Sequence, residues 1–111
     1  MKNFSLASLV IFLLLSCNFN SDNIQNNVEL NSVFENYYQD GLKINPINAT
    51  NEGDNRYNNQ FPELITESYK KKQTEYYSKY LDKVSKFESD DLSKIDKMSK
   101  SILEWECKTN L

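Results

Sequence analysis

The chain has 111 residues, 39% of them hydrophobic, with 13 Lys and Arg against 16 Asp and Glu, a formal net charge of −3 and no histidine. That length supports one small domain, and the mildly acidic balance offers no basic field for nucleic acid. Without His the commonest general base is missing, and no nucleophile–base spacing among the Ser, Lys and carboxylates stands out as an independent hydrolase site.

The N-terminus carries Lys2, an apolar run from Phe4 to Leu15, and then Leu14-Leu15-Ser16-Cys17 before the chain turns polar. The run is shorter than the about 20 residues a membrane-spanning helix needs, so it reads as a secretion signal. Ordinary signal peptidase needs small residues at the last and third-last positions, and Leu14 is too large for the latter. The lipoprotein peptidase takes a bulky aliphatic there, a small residue before the cut and Cys after it. Leu14, Ser16 and Cys17 meet all three demands. The segment is similar to a bacterial lipoprotein leader. It predicts a cleaved signal peptide over residues 1–16, lipidation of Cys17 and attachment to a membrane of the cell envelope, on its periplasmic or cell-surface side. Several acyl chains on one Cys make such an anchor in effect permanent, because each buried methylene contributes about 0.8 kcal/mol. Residues 17–27, rich in Asn, Ser and Asp, read as a flexible tether, and residues 28–111 as the folded part. With Cys17 acylated, Cys107 has no intrachain partner. It reads as a small packing residue, since no His can serve as its base.

The folded part reads as all-α, a short bundle or hairpin of about three helices. The first spans about Val28 to Leu42, with Val28, Leu30, Val33, Phe34, Tyr37, Tyr38 and Leu42 at three- and four-residue steps. Gly41 and then Asn45-Pro46 are the expected stop signals. Pro46 can open one helical turn through Ala49, and the remainder up to Pro62 reads as loop. The second helix is expected from Glu63 to Phe87, with Pro62 just before it and Ile65, Tyr69, Tyr76, Tyr80, Leu81, Val84 and Phe87 buried. Ser89-Asp90-Asp91 supplies a break and an N-cap for the third helix. Its expected buried stripe is Leu92, Ile95, Met98, Ile102 and Trp105. Six acid-first pairs stand four apart: Glu67–Lys71, Glu75–Lys79, Asp82–Lys86, Asp90–Lys94, Asp96–Lys100 and Glu104–Lys108. Lys70-Lys71-Lys72 reads as a solvated helix face. The second and third helices are expected to form an antiparallel hairpin with a very short connection.

Towards the C-terminus the apolar stripe widens over Ile102, Leu103, Trp105, Cys107 and Leu111, with no capping residue to close it. This pattern predicts a truncated domain whose oily side is covered by polypeptide outside the chain.

The ordered set Phe34-Glu35-Asn36-Tyr37-Tyr38, Gly41-Leu42-Lys43-Ile44-Asn45-Pro46, Ala49-Thr50 and Gly53-Asp54-Asn55-Arg56-Tyr57-Asn58, followed by Tyr80-Leu81 and Ile102-Leu103-Glu104-Trp105-Glu106, resembles the N-terminal region of the bacterial family catalogued as domain of unknown function 885. The resemblance spans nearly all of the chain after Cys17. It implies a longer helical protein, similar to zinc-dependent peptidases with a His-Glu-x-x-His helix in the C-terminal half. Zinc is then expected only in full-length relatives, because no residue here matches a ligand or catalytic base of that half. Arg56 and Tyr57 are the candidate cleft-lining residues. The structural alternative for Arg56 is an ion pair with Asp54 or a later carboxylate, beside a turn at Gly53.

The resulting expectation is a non-catalytic N-terminal fragment of a lipid-anchored, metallopeptidase-like envelope protein, with no cofactor of its own. Its partners would be the membrane, through Cys17, and the missing C-terminal part or a helical partner, with no nucleic acid. The alternative is a complete small helical lipoprotein acting as an envelope binding module.

Overall fold

The structure is a computed structural model and describes residues 27–111. The expected leader, Cys17 and the tether before Asn27 lie outside the described residues. The fold is all-α. Helices α1 (Val28–Ile44), α2 (Pro46–Asn51), α3 (Glu67–Ser85) and α4 (Lys94–Thr109) are joined through 3₁₀ turns at Asn55–Tyr57 and Ser89–Asp91. Among the described residues no helix is long and apolar enough to cross a membrane.

Each helix begins on a side chain that satisfies an orphan backbone donor. Asn27 accepts from the Leu30 amide, Asn45 from Asn48, Thr66 from Tyr69 and Ser93 from Asp96. Asn45 serves two helices. Its backbone N–H donates to the Gly41 carbonyl at the end of α1, and its side chain opens α2, where Pro46 sits at the first position.

Several expected boundaries move for local reasons. Gly41 does not stop α1, which runs to Ile44. Pro62 does not open α3: residues 62–66 form turns, the Leu64 amide donating to the Pro62 carbonyl and Thr66 to Glu63. The helix starts only where Thr66 caps it, which leaves Ile65 90% exposed rather than buried. Ser89-Asp90-Asp91 makes a 3₁₀ turn, and Ser93 caps α4. The link from α3 to α4 therefore covers residues 86–93, longer than a tight hairpin turn.

The core joins all three long helices. Leu30 of α1, Tyr76, Tyr80 and Val84 of α3, Leu92, and Leu103 and Cys107 of α4 form one buried cluster, edged by Phe34, Tyr37 and Leu81. Helix α4 runs parallel to α1. The Asn27 amide donates to Asp96 Oδ2 at 3.4 Å, and ten residues further along both helices Tyr37 faces Glu106. Helix α3 runs antiparallel to both, with Asp40 of α1 against Lys79 and Tyr80 and Tyr77 against Glu106.

The largest departure concerns α4. Its buried residues are Asp96, Leu103 and Cys107, whereas Ile95, Met98, Ile102 and Trp105 are 48%, 60%, 57% and 67% exposed. At 3.6 residues per turn the two sets lie roughly 140° apart around the helix. Helix α4 thus has two apolar faces, and the smaller-residue face enters the core. The expected pair Asp96–Lys100 is split for the same reason: Asp96 turns inward to the Asn27 amide, and Lys100 bonds Glu104 at 2.6 Å. Asp82–Lys86 and Glu104–Lys108 form as expected, at 2.6 and 3.7 Å. Lys79 reaches across to Asp40 instead of Glu75.

Gly41 has a packing reason. The Tyr76 hydroxyl donates to the Tyr37 carbonyl at 2.8 Å, and a Cβ on Gly41 would stand 2.8 Å from that hydroxyl oxygen. Mid-helix Ala is normally favoured over Gly by about 1 kcal/mol. Here Gly41→Ala is expected to lower the urea unfolding free energy by about 1–2 kcal/mol, because the hydroxyl is driven off its acceptor. In a Tyr76→Phe background the same substitution should become neutral or stabilising, and a penalty that persists there would refute this role for Gly41.

Candidate functional site

The apolar spacing of α1 and α3 brings an unusual density of tyrosine to their interface. Tyr37 stacks on Tyr76 with ring centroids 5.0 Å apart and planes 19° from parallel. It meets Tyr80 edge-on at 5.2 Å, and Tyr76 meets Tyr77 edge-on at 5.0 Å. Offset-stacked and edge-to-face pairs suit the ring quadrupoles and add to simple area burial.

Two polar features grow from this cluster. The first is a filled cradle. Tyr80 is fully buried, yet its hydroxyl reaches Asp40 Oδ2 at 2.6 Å, and Lys79 Nζ bonds the same oxygen at 2.7 Å. Lys79 Nζ also lies 4.9 Å from the Tyr80 ring centroid, with Lys83 Nζ at 5.6 Å. The Lys79 ammonium and the Tyr80 hydroxyl hold the Asp40 carboxyl down at about 2. Burial, reinforced by the Asp40 carboxylate, raises the Tyr80 phenol well above its usual range.

The second is an open cavity of about 190 Å3 where α1, α3 and α4 converge. Tyr37, Tyr38, Tyr69, Tyr76 and Tyr77 supply rings to it, and Gln73, Glu52 and Glu106 supply polar groups. Glu52 accepts the Tyr38 hydroxyl at 2.7 Å. Glu106, on α4, faces the Tyr37 phenol. Burial first, and then the Glu106 carboxylate, raise both Tyr37 and Tyr77 above the ordinary tyrosine range. No Lys or Arg lines this cavity. A second depression of about 360 Å3, between Lys43, Phe61, Thr66 and Lys72, is a weaker candidate. Lys43 is already drawn to Asp40 at 3.4 Å, and the Thr66 hydroxyl donates to the Glu63 carbonyl.

Arg56 and Tyr57 do not line the tyrosine cavity. The Arg56 guanidinium donates to both Asp54 oxygens and to Gln39 Oε1 at 2.7 Å, and sits 5.4 Å from the Tyr57 ring centroid. It braces the loop that turns at Gly53, whose φ of +83° is the only positive φ among the described residues. Cys107 is fully buried, and burial pushes its thiol up to about 11. A thiol so placed is largely protonated at neutral pH and packs as a small hydrophobe. Among the described residues, no three His, Cys, Asp or Glu side chains converge as a metal-ligand set. The tyrosine cavity has no local sequence motif. Its only advance signal is the tyrosine spacing on α1 and α3, and nothing local places Glu106 with them. No family model, curated protein or solved structure matches the chain.

Asp40 sets a pH dependence. Its folded value lies below the unfolded value near 3.9, so its stabilisation is whole above about pH 4 and disappears as pH falls through about 2. The difference in urea midpoint between the unmodified chain and Asp40→Asn should therefore be largest near neutrality and close between pH 4 and pH 2. A constant gap over that range would contradict the assignment. For Cys107, alkylation by iodoacetamide at pH 8 should be at least tenfold slower in the folded chain than in urea, as mass spectrometry would follow.

Proposed function

We propose that this chain is the lipid-anchored, non-catalytic helical portion of a metallopeptidase-like protein of the bacterial envelope, held to its membrane through Cys17. Its role is to scaffold: the outer face of α4 seats further polypeptide of that protein. The observation that carries the reading is the exposure of Ile95, Met98, Ile102 and Trp105 on one side of a helix whose other side is already packed. These side chains recur at three- and four-residue steps over about 15 Å of helix, the pattern of a helix that packs against another. Fully burying an exposed side chain of this kind contributes about 1.5–3 kcal/mol, and these four, between 48% and 67% exposed, retain roughly half of that as a driving force for association. The leader grammar supports the anchor. The resemblance of the Phe34–Tyr38, Gly41–Pro46 and Gly53–Asn58 segments to the family of domain of unknown function 885 supports the larger protein, and zinc chemistry would belong to the half that carries the His-Glu-x-x-His helix.

The reading is tested in two steps. Palmitate labelling and membrane retention should both be lost in Cys17→Ala; retention of the label would remove the anchor from the proposal. In residues 27–111, Ile102→Glu and Trp105→Glu should cut the fluorescence of bound anilinonaphthalenesulfonate several-fold while leaving the helical circular dichroism intact. If dye binding is absent from the start, or if these substitutions unfold the chain as core mutations do, the scaffold reading is wrong.

A further inference from the structure

The Asp40 cradle shows what this fold does with a tyrosine ring beside a carboxylate: it fills the place with an ammonium group, Lys79 Nζ, lying 2.7 Å from Asp40 Oδ2 and 4.9 Å from the Tyr80 ring centroid. The cavity at Glu106 repeats those parts on the other side of Tyr76 and lacks the cation. Its walls are the rings of Tyr37, Tyr69, Tyr76 and Tyr77, its carboxylates are Glu106 and Glu52, and none of its lining residues is Lys or Arg. The omission is pointed in a chain with 13 Lys and Arg. Among the described residues Glu106 takes part in no salt bridge, whereas Glu104, two residues back on α4, holds both Lys100 and Lys108.

We infer that the cavity bounded by Tyr37, Tyr76, Tyr77 and Glu106 is a binding site for a single organic cation, a guanidinium or alkylammonium group. The ring faces attract a cation through their quadrupoles, and Glu106 supplies a charge-assisted acceptor. The volume of about 190 Å3 is below the about 300 Å3 at which small-molecule sites usually begin. The cavity itself therefore holds one cationic group on a short alkyl stem, and the rest of a larger ligand would lie outside it. The same group can be presented by a free amine or guanidine, or by an arginine or lysine of a polypeptide. The inference does not depend on the scaffold reading, which concerns the Ile95–Trp105 stripe.

The test is an NMR titration of the full chain in detergent micelles with n-propylguanidinium, and with its neutral isostere n-propylurea. The guanidinium should give saturable shifts at the Gln73, Tyr77 and Glu106 amides, and the urea should bind at least tenfold more weakly. Glu106→Gln should weaken guanidinium binding at least tenfold, while Glu75→Gln, on the exposed face of α3, should leave it unchanged. A capped Gly-Gly-Arg-Gly-Gly peptide separates the two sources. Affinity well above that of n-propylguanidinium assigns the site to a polypeptide side chain, and equal affinity assigns it to a free cation. Equal binding of the guanidinium and the urea overturns the inference, as does the absence of saturable shifts at the cavity or an unchanged affinity in Glu106→Gln.

Discussion

The hydroxyl of Tyr80 has to be satisfied inside the protein, because the residue is fully buried where α1, α3 and α4 meet. A buried hydroxyl without a partner costs about 1–3 kcal/mol, and the acceptor it finds is Asp40, 2.6 Å away on α1. That carboxylate in turn needs a cation, and Lys79 of α3 provides it at 2.7 Å. One polar triad thus sets the rotation of α1 against α3 and the height at which they cross. The Tyr37–Tyr76 stack and the Tyr76 bond to the Tyr37 carbonyl follow from that register. Gly41 follows as well, because no side chain fits beneath the Tyr76 hydroxyl.

With α1 and α3 locked in this way, the groove they leave for α4 is narrow. Leu103 and Cys107 enter it, and Asp96 reaches the start of α1. Ile95, Met98, Ile102 and Trp105 lie on the other face of α4 and stay outside the cluster that Leu30, Tyr80 and Val84 form with Leu103 and Cys107. The same rotation of α4 brings Glu106 over the tyrosine rings. The exposed stripe and the acidic aromatic cavity are therefore two results of a single packing choice.

Much of the fold was legible in advance. Three- and four-residue apolar spacing located α1, the middle of α3 and α4, since burying one stripe is what makes an amphipathic helix stable. Asn45-Pro46 marked the break between α1 and α2 for steric reasons that are local to the dipeptide. The misplaced boundaries were those read from a single Pro or Gly. At the start of α3, Pro62 suggested the opening, but the chain turns over residues 62–66 and the helix begins only at the Thr66 cap. At Gly41 the flexible residue suggested a stop, but the helix continues to Ile44, and the glycine is there because Tyr76, on another helix, occupies the space a Cβ would take.

The amino-acid sequence by itself determined the helical class and the break at Asn45-Pro46, because both rest on residues close together along the chain. Periodicity could also show that α4 carries more apolar residues than one face needs. It could not say which face turns inward, since that depends on the volume left by Tyr80 and Val84 on a different helix. Tertiary structure alone decided that Leu103 and Cys107 are core and Trp105 surface, and that Glu106 meets Tyr37 across a separation of 69 residues. Side-chain volume and buried charge act through space, and no local pattern encodes them.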